Sequence, residues 1–148
     1  MNILFAASEA VPFAASGGLA DVIGSLPYAI RNKGHECRIV IPLYKSIRPE
    51  LRAQMTFLTN ITVDVSWRKQ YCGIFTAIWN GVTYYFIDNE YYFGRDGLYG
   101  FYDDCERFVF FSRAVLEMLR CIDFTPDIIH ANDWQTALIS VFYQVFYK

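Results

Sequence analysis

The chain has 148 residues and a formal net charge of −2; 54% of it is hydrophobic and 19% charged. That length suits one domain with a sizeable core, and that balance excludes a disordered chain. The small negative charge leaves no electrostatic footprint for nucleic acid or an anionic membrane, and no stretch of about 18 apolar residues is present to span one as a helix.

The four cysteines, Cys37, Cys72, Cys105 and Cys121, form no C-x-x-C pair, and the only histidines are His35 and His130. No metal site is expected from them, and no cofactor is implied. They read as reduced, buried or partly buried thiols, and the short apolar opening does not read as a signal peptide, so a cytoplasmic protein is expected. The 13 Phe, 11 Tyr and 3 Trp admit two readings: an aromatic core and partner surface, or stacking on sugar rings. Composition alone favours the core.

In chain order, Asn2–Ala7 reads as a buried parallel strand. A loop with Pro12 leads to Gly17-Gly18 and then to a helical face of Leu19, Val22, Ile23, Leu26 and Ile30. Pro27 inside that pattern removes a backbone donor and predicts a kink or a split. Lys33 and Gly34 close the helix, and Cys37–Pro42 forms the second strand of a right-handed β-α-β unit. Thr59–Ser66 alternates, and Tyr71–Trp79 and Val82–Ile87 are rich in β-branched and aromatic residues. Asn80-Gly81 between the last two is a hairpin signal. Asp88–Asp104 reads as a long aromatic and glycine-rich loop. Asp104–Arg120 is a helix with an apolar stripe of Phe108, Phe111, Val115, Met118 and Leu119, capped by Asp103 or Asp104. Asp127–His130 reads as a short buried strand, followed by a last helix capped by Asn132 or Asp133 and running to about Val145. Phe142, Tyr143, Phe146 and Tyr147 on that helix predict a sticky face and self-association. An apolar helix at the end of an α/β unit leads one to expect a further strand, hence a fragment.

Four blocks, in order, are similar to one family. MNILFAASEAVPFAASGGLADVIGSLPYAI resembles the start of bacterial glycogen synthases and plant starch synthases, and DNEYYFGRDGLYG, YDDCERFVFFSRAVLEML and PDIIHANDWQTAL resemble three later family motifs. The resemblance covers essentially the whole chain. It implies an α/β fold, a Rossmann-like parallel sheet with flanking helices and an inserted β-hairpin. Residues 1–148 would then be the incomplete N-terminal, acceptor-side domain of a GT-B retaining glucosyltransferase. Its implied partners are ADP-glucose and an α-1,4-glucan.

By the same resemblance, Gly17 and Gly18 approach the nucleotide sugar. Asp133, as a catalytic residue, and Trp134 lie at the mouth of the cleft, Gln135 contacts sugar, and Tyr99 faces the sugar site. The family's K-T-G-G stands here as Ala15-Ser16-Gly17-Gly18, so the position of a phosphate-pairing lysine is Ala15. Asp103 reads chiefly as a cap. Glu9 either structures its loop or lines the cleft, and His130 is either a core residue or a ligand. Two further readings remain open. The isolated chain is expected to be inactive, and Ala15 suits a truncated, non-catalytic glucan-binding or interaction module. A free-standing dinucleotide domain is weaker, because no G-x-G-x-x-G follows the first strand.

Overall fold

The computed structural model describes residues Met1–Lys148. Strands β1 (Asn2–Ala6) and β2 (Glu36–Pro42) flank helices α1 (Gly18–Ile23) and α2 (Leu26–Arg31). The expected split falls at Gly24-Ser25, with Pro27 in the first turn of α2, where its missing N–H costs no hydrogen bond. A short α3 (Pro49–Arg52), without a counterpart in the sequence reading, precedes β3 (Thr56–Val65), β4 (Arg68–Trp79) and β5 (Val82–Asp88). Helices α4 (Glu90–Phe93) and α5 (Asp104–Met118) then lead to β6 (Ile128–Ala131), a 3-10 turn at Trp134–Thr136, α6 (Leu138–Phe142) and a wide π-type turn at Tyr143–Tyr147.

The six strands form one sheet in the order β3-β4-β5-β2-β1-β6. β1, β2, β5 and β6 run parallel, with Ile3 opposite both Cys37 and Ile128. β4 and β5 pair antiparallel across the Asn80-Gly81 turn, where both residues have positive φ. The expected hairpin is therefore continuous with the parallel sheet, because β5 belongs to both. A second hairpin joins β3 to β4 through Ser66, also at positive φ. The crossovers β1→β2 and β5→β6 move in opposite directions across the sheet. Right-handedness then places α1–α2 on one face and α5 on the other.

Phe108, Phe110 and Phe111 of α5 are buried with Tyr92 and Phe93 of α4, the Tyr92 and Phe110 rings lying 5.0 Å apart. Burying each such ring contributes about 1.5–3 kcal/mol. This cluster explains much of the aromatic content and turns the expected loop Asp88–Asp104 into a helix plus an anchored strap. Asn89 caps α4 by accepting the Tyr92 N–H at 3.0 Å.

Several expectations are corrected. β6 is not buried: it is an edge strand with one paired side, and only Ile129 is partly covered. Val22 is exposed, because a six-residue helix presents too narrow a face to cover it. Cys105 and Cys121 are exposed, while Cys37 and Cys72 are buried. No helix is long and apolar enough to cross a membrane.

Candidate functional site

β1 and β6 are parallel neighbours, the crossover from β1 running to β2 on one side and the crossover from β5 arriving at β6 on the other, and ligands of such sheets bind in the crevice outside the carboxyl ends of these strands. The predicted residues gather there. Ser8 and Glu9 follow β1, Asp133 follows β6, and the strap through Tyr99 folds across from α5.

Ala15, Ser16, Gly17 and Gly18 are all exposed. Gly17 is extended, with φ −168°, and neither glycine would place a Cβ within 4 Å of another atom. Neither backbone angle nor packing inside this chain demands glycine at the two positions. The open space in front of them is free for close approach to the backbone. Ala15 leaves this turn without a side-chain cation.

Glu9 resolves in favour of loop structure. It is 4% exposed, and its Oε2 accepts the Ser16 N–H at 2.5 Å and the Ser16 hydroxyl at 2.8 Å. The Tyr99 hydroxyl lies 2.6 Å from the Ser8 hydroxyl. Burial pushes the Tyr99 phenol up to about 12, with the Ser8 bond opposing and the Glu9 and Asp133 carboxylates adding to the rise. The phenol therefore stays protonated at neutral pH and remains able to donate.

Asp133 sits at φ 64°, ψ −178°, a region almost confined to glycine. Its carboxylate accepts its neighbour's N–H, Trp134 N, at 2.7 Å. Thr136 Oγ1 donates to the Asn132 carbonyl at 2.7 Å, and Asn132 Nδ2 to the Ala6 carbonyl at 3.1 Å, which ties this turn to β1. Trp134 is half exposed and meets Phe108 edge-on at 5.3 Å. Phe108 also packs against Tyr99 at 5.9 Å, so one buried ring supports both aromatic members of the site.

Gln135 departs from its expected place. It is 4% exposed, its carboxamide oxygen is buried without a partner, and its carbonyl accepts the Ser112 hydroxyl at 3.2 Å. The 3-10 turn rotates successive side chains by about a third of a circle, so Trp134 points outward and Gln135 inward. His130 lies on the exposed edge strand with its ring 4.9 Å from Phe5.

The strap carrying Tyr99 is fixed by groups that the sequence reading did not assign. Arg107 is fully buried. Its Nε donates to the Tyr92 carbonyl at 2.7 Å, and its Nη1 to the Leu98 carbonyl and the Asp104 carboxylate at 2.9 Å each. Asp104 in turn accepts the N–H groups of Gly100 and Phe101. Asp103 makes no side-chain cap. It pairs with both terminal nitrogens of Arg95, one bond being 2.7 Å, and that pairing holds its carboxyl below the usual range. Arg107 and Asp104 lie inside the block YDDCERFVFFSRAVLEML, which is the sequence signal for this support. A separate cleft of about 580 Å³ at the ends of β2 and β5, between Lys45, Arg52, Asp88 and Glu90, includes none of the predicted site residues.

The fold and this face define a unit of a GT-B glycosyltransferase. The catalytic domain of starch synthase IV from Arabidopsis thaliana, solved with ADP and acarbose, superposes on 99% of the chain with a TM-score of 0.88 at 33% identity, and the match takes in 30% of that structure. Glycogen synthases from Clostridium kluyveri and Desulforamulus reducens are 55% and 53% identical to the chain over all 148 residues. Residues 2–148 match the family described as starch synthase catalytic domain, and the chain belongs to that family. It spans 31% of the length of these curated relatives.

Proposed function

We propose that residues 1–148 are the N-terminal, acceptor-side domain of a cytoplasmic glycogen synthase that moves glucose from ADP-glucose to the non-reducing end of an α-1,4-glucan. The observation that carries this reading is the convergence of an unobstructed Gly17-Gly18 turn, Tyr99 and a strained Asp133 at the carboxyl ends of β1 and β6. In the reaction the bond from the glucosyl C1 to the diphosphate oxygen breaks. A bond from C1 to the glucan 4-oxygen forms on the same face, and the 4-hydroxyl proton leaves with the diphosphate. Gly17 and Gly18 give the diphosphate close access to main-chain N–H groups. Asp133 accepts hydrogen bonds from the sugar hydroxyls, Tyr99 donates to the sugar, and Trp134 packs on a ring face. Preorganised donors and dipoles of this kind stabilise the charge that develops on the leaving group and the sugar.

A second reading rests on Ala15. Without the cation, the face binds glucan or a partner and transfers nothing. The test is incubation of the full-length protein with ADP-glucose and glycogen, following ADP release and glucan extension. Transfer with retention is expected from the full-length protein and none from the 148-residue chain alone. Glycogen binding without any ADP release from the full-length protein overturns the first reading in favour of the second.

A further inference from the structure

Ser8 and Glu9 are consecutive residues just beyond β1, both buried, and their side chains go to different loops. The Ser8 hydroxyl meets Tyr99, 91 residues away, and the Ser8 carbonyl accepts the hydroxyl of Tyr44 at 2.6 Å. Tyr44 is fully buried just beyond β2, so Ser8 is anchored from the core side. Glu9 holds Ser16, the residue before Gly17, through both its N–H and its hydroxyl. Between them, reciprocal bonds of 2.9 and 3.0 Å between Ala10 and Ala14 close the loop.

Glu9 takes part in no ion pair. The two bonds to Ser16 are therefore the polar contacts that fix the Glu9 side chain in place. Gly17 and Gly18 have open space where a side chain would stand and carry no side chain to fix them, and they form the N-cap and first residue of the short helix α1. Glycine loses more backbone freedom on ordering than any other residue, and a ligand that must order a loop binds less tightly than one that meets it preformed.

We propose that Ser8 and Glu9 are positioning residues: one peptide at the end of β1 sets the Gly17-Gly18 turn, through Ser16, and Tyr99 in fixed register with each other. The inference rests on the glucosyltransferase reading for its kinetic consequence but not for its structural one. Ser8 lies at a bend just past β1, and its Cα and that of Glu9 are about 3.8 Å apart across one planar peptide, so the two loops are referenced to one short stretch of buried backbone.

The experiment uses the full-length protein with Glu9→Ala, Ser16→Ala, Ser16→Thr, Ser8→Ala and the Glu9→Ala/Ser16→Ala double variant. Hydrogen exchange is read over residues 13–20 and 97–101, alongside kcat and the KM for ADP-glucose. Glu9→Ala and Ser16→Ala are expected to speed exchange over 13–20 only and to raise the donor KM about tenfold, with kcat within about twofold. The double variant should match the larger single effect, and Ser16→Thr should behave as the parent. Ser8→Ala should speed exchange over 97–101 and leave 13–20 unchanged. Unaltered exchange over 13–20 in Ser16→Ala, or additive effects in the double variant, overturns the proposal. Should Glu9→Ala fail to fold, the Ser16 pair decides alone. A parent protein that transfers no glucose refutes the proposed function, while the exchange data still judge the positioning role.

Discussion

Asp133 offers a test in which the usual order of two substitutions reverses. Its backbone sits at φ 64°, ψ −178°, where a Cβ is strained, and its carboxylate accepts Trp134 N at 2.7 Å. Both Asp133→Ala and Asp133→Gly lose that hydrogen bond, so its contribution cancels between them. At an ordinary position alanine is the more stabilising by about 0.4–1 kcal/mol, because glycine leaves the unfolded chain more freedom. Here alanine keeps a strain of about 1–3 kcal/mol that glycine releases. The difference favours glycine by about 1 kcal/mol, which at a urea slope of about 2 kcal/mol/M separates the midpoints by about 0.5 M. Urea unfolding of the two variants side by side, followed by far-UV circular dichroism, measures this directly. Asp133→Ala equal to or more stable than Asp133→Gly would refute the claim that the turn after β6 is strained. Both variants are also expected to lose glucosyl transfer in the full-length protein, so that stability and activity move apart in Asp133→Gly.

Two further outcomes follow from the same geometry. Ala15→Lys in the full-length protein adds a cation beside the open glycine turn, and a charge-assisted contact of about 1.5–3 kcal/mol is expected to tighten nucleotide-sugar binding about tenfold or more by calorimetry. An unchanged affinity would mean that position 15 does not face the phosphates. Asp103 is held below its unfolded pKa of about 3.9 by Arg95, so its stabilisation is present above that value and lost as the pH falls through the lower folded value. Asp103→Asn should therefore be less stable than the parent at neutral pH and should flatten the acid limb of the stability profile; an acid limb identical to the parent's would remove Asp103 from the account.

The local grammar of this chain was legible because it depends on near neighbours. An apolar run, a glycine turn, a helical face and Pro27 specified β1, α1, α2 and β2 with their split. Asn80-Gly81 specified its hairpin, since both turn residues need positive φ and few side chains tolerate it. Four motif blocks in order pointed to the family. Exposure was harder to read. The run DIIH looks the same whether a strand has one neighbour or two, so the edge position of β6 was invisible until the sheet order was known. The aromatic strap likewise read as a loop, because α4 is too short to show a period and its burial depends on α5.

The side-chain partners of the site belonged to the tertiary structure alone. Asp103 sits at a cap position yet pairs with Arg95, and Gln135 lies inside the protein beside an exposed Trp134. Tyr99 finds Ser8 across 91 residues only because β1 and the strap meet at one end of the sheet. Spacing and turn chemistry act over a few bonds, and from the sequence alone they determined which elements form and in what order. Which carboxylate meets a guanidinium, a hydroxyl or solvent depends on distances of about 3 Å between segments far apart in the chain, and those distances exist only once the core has packed.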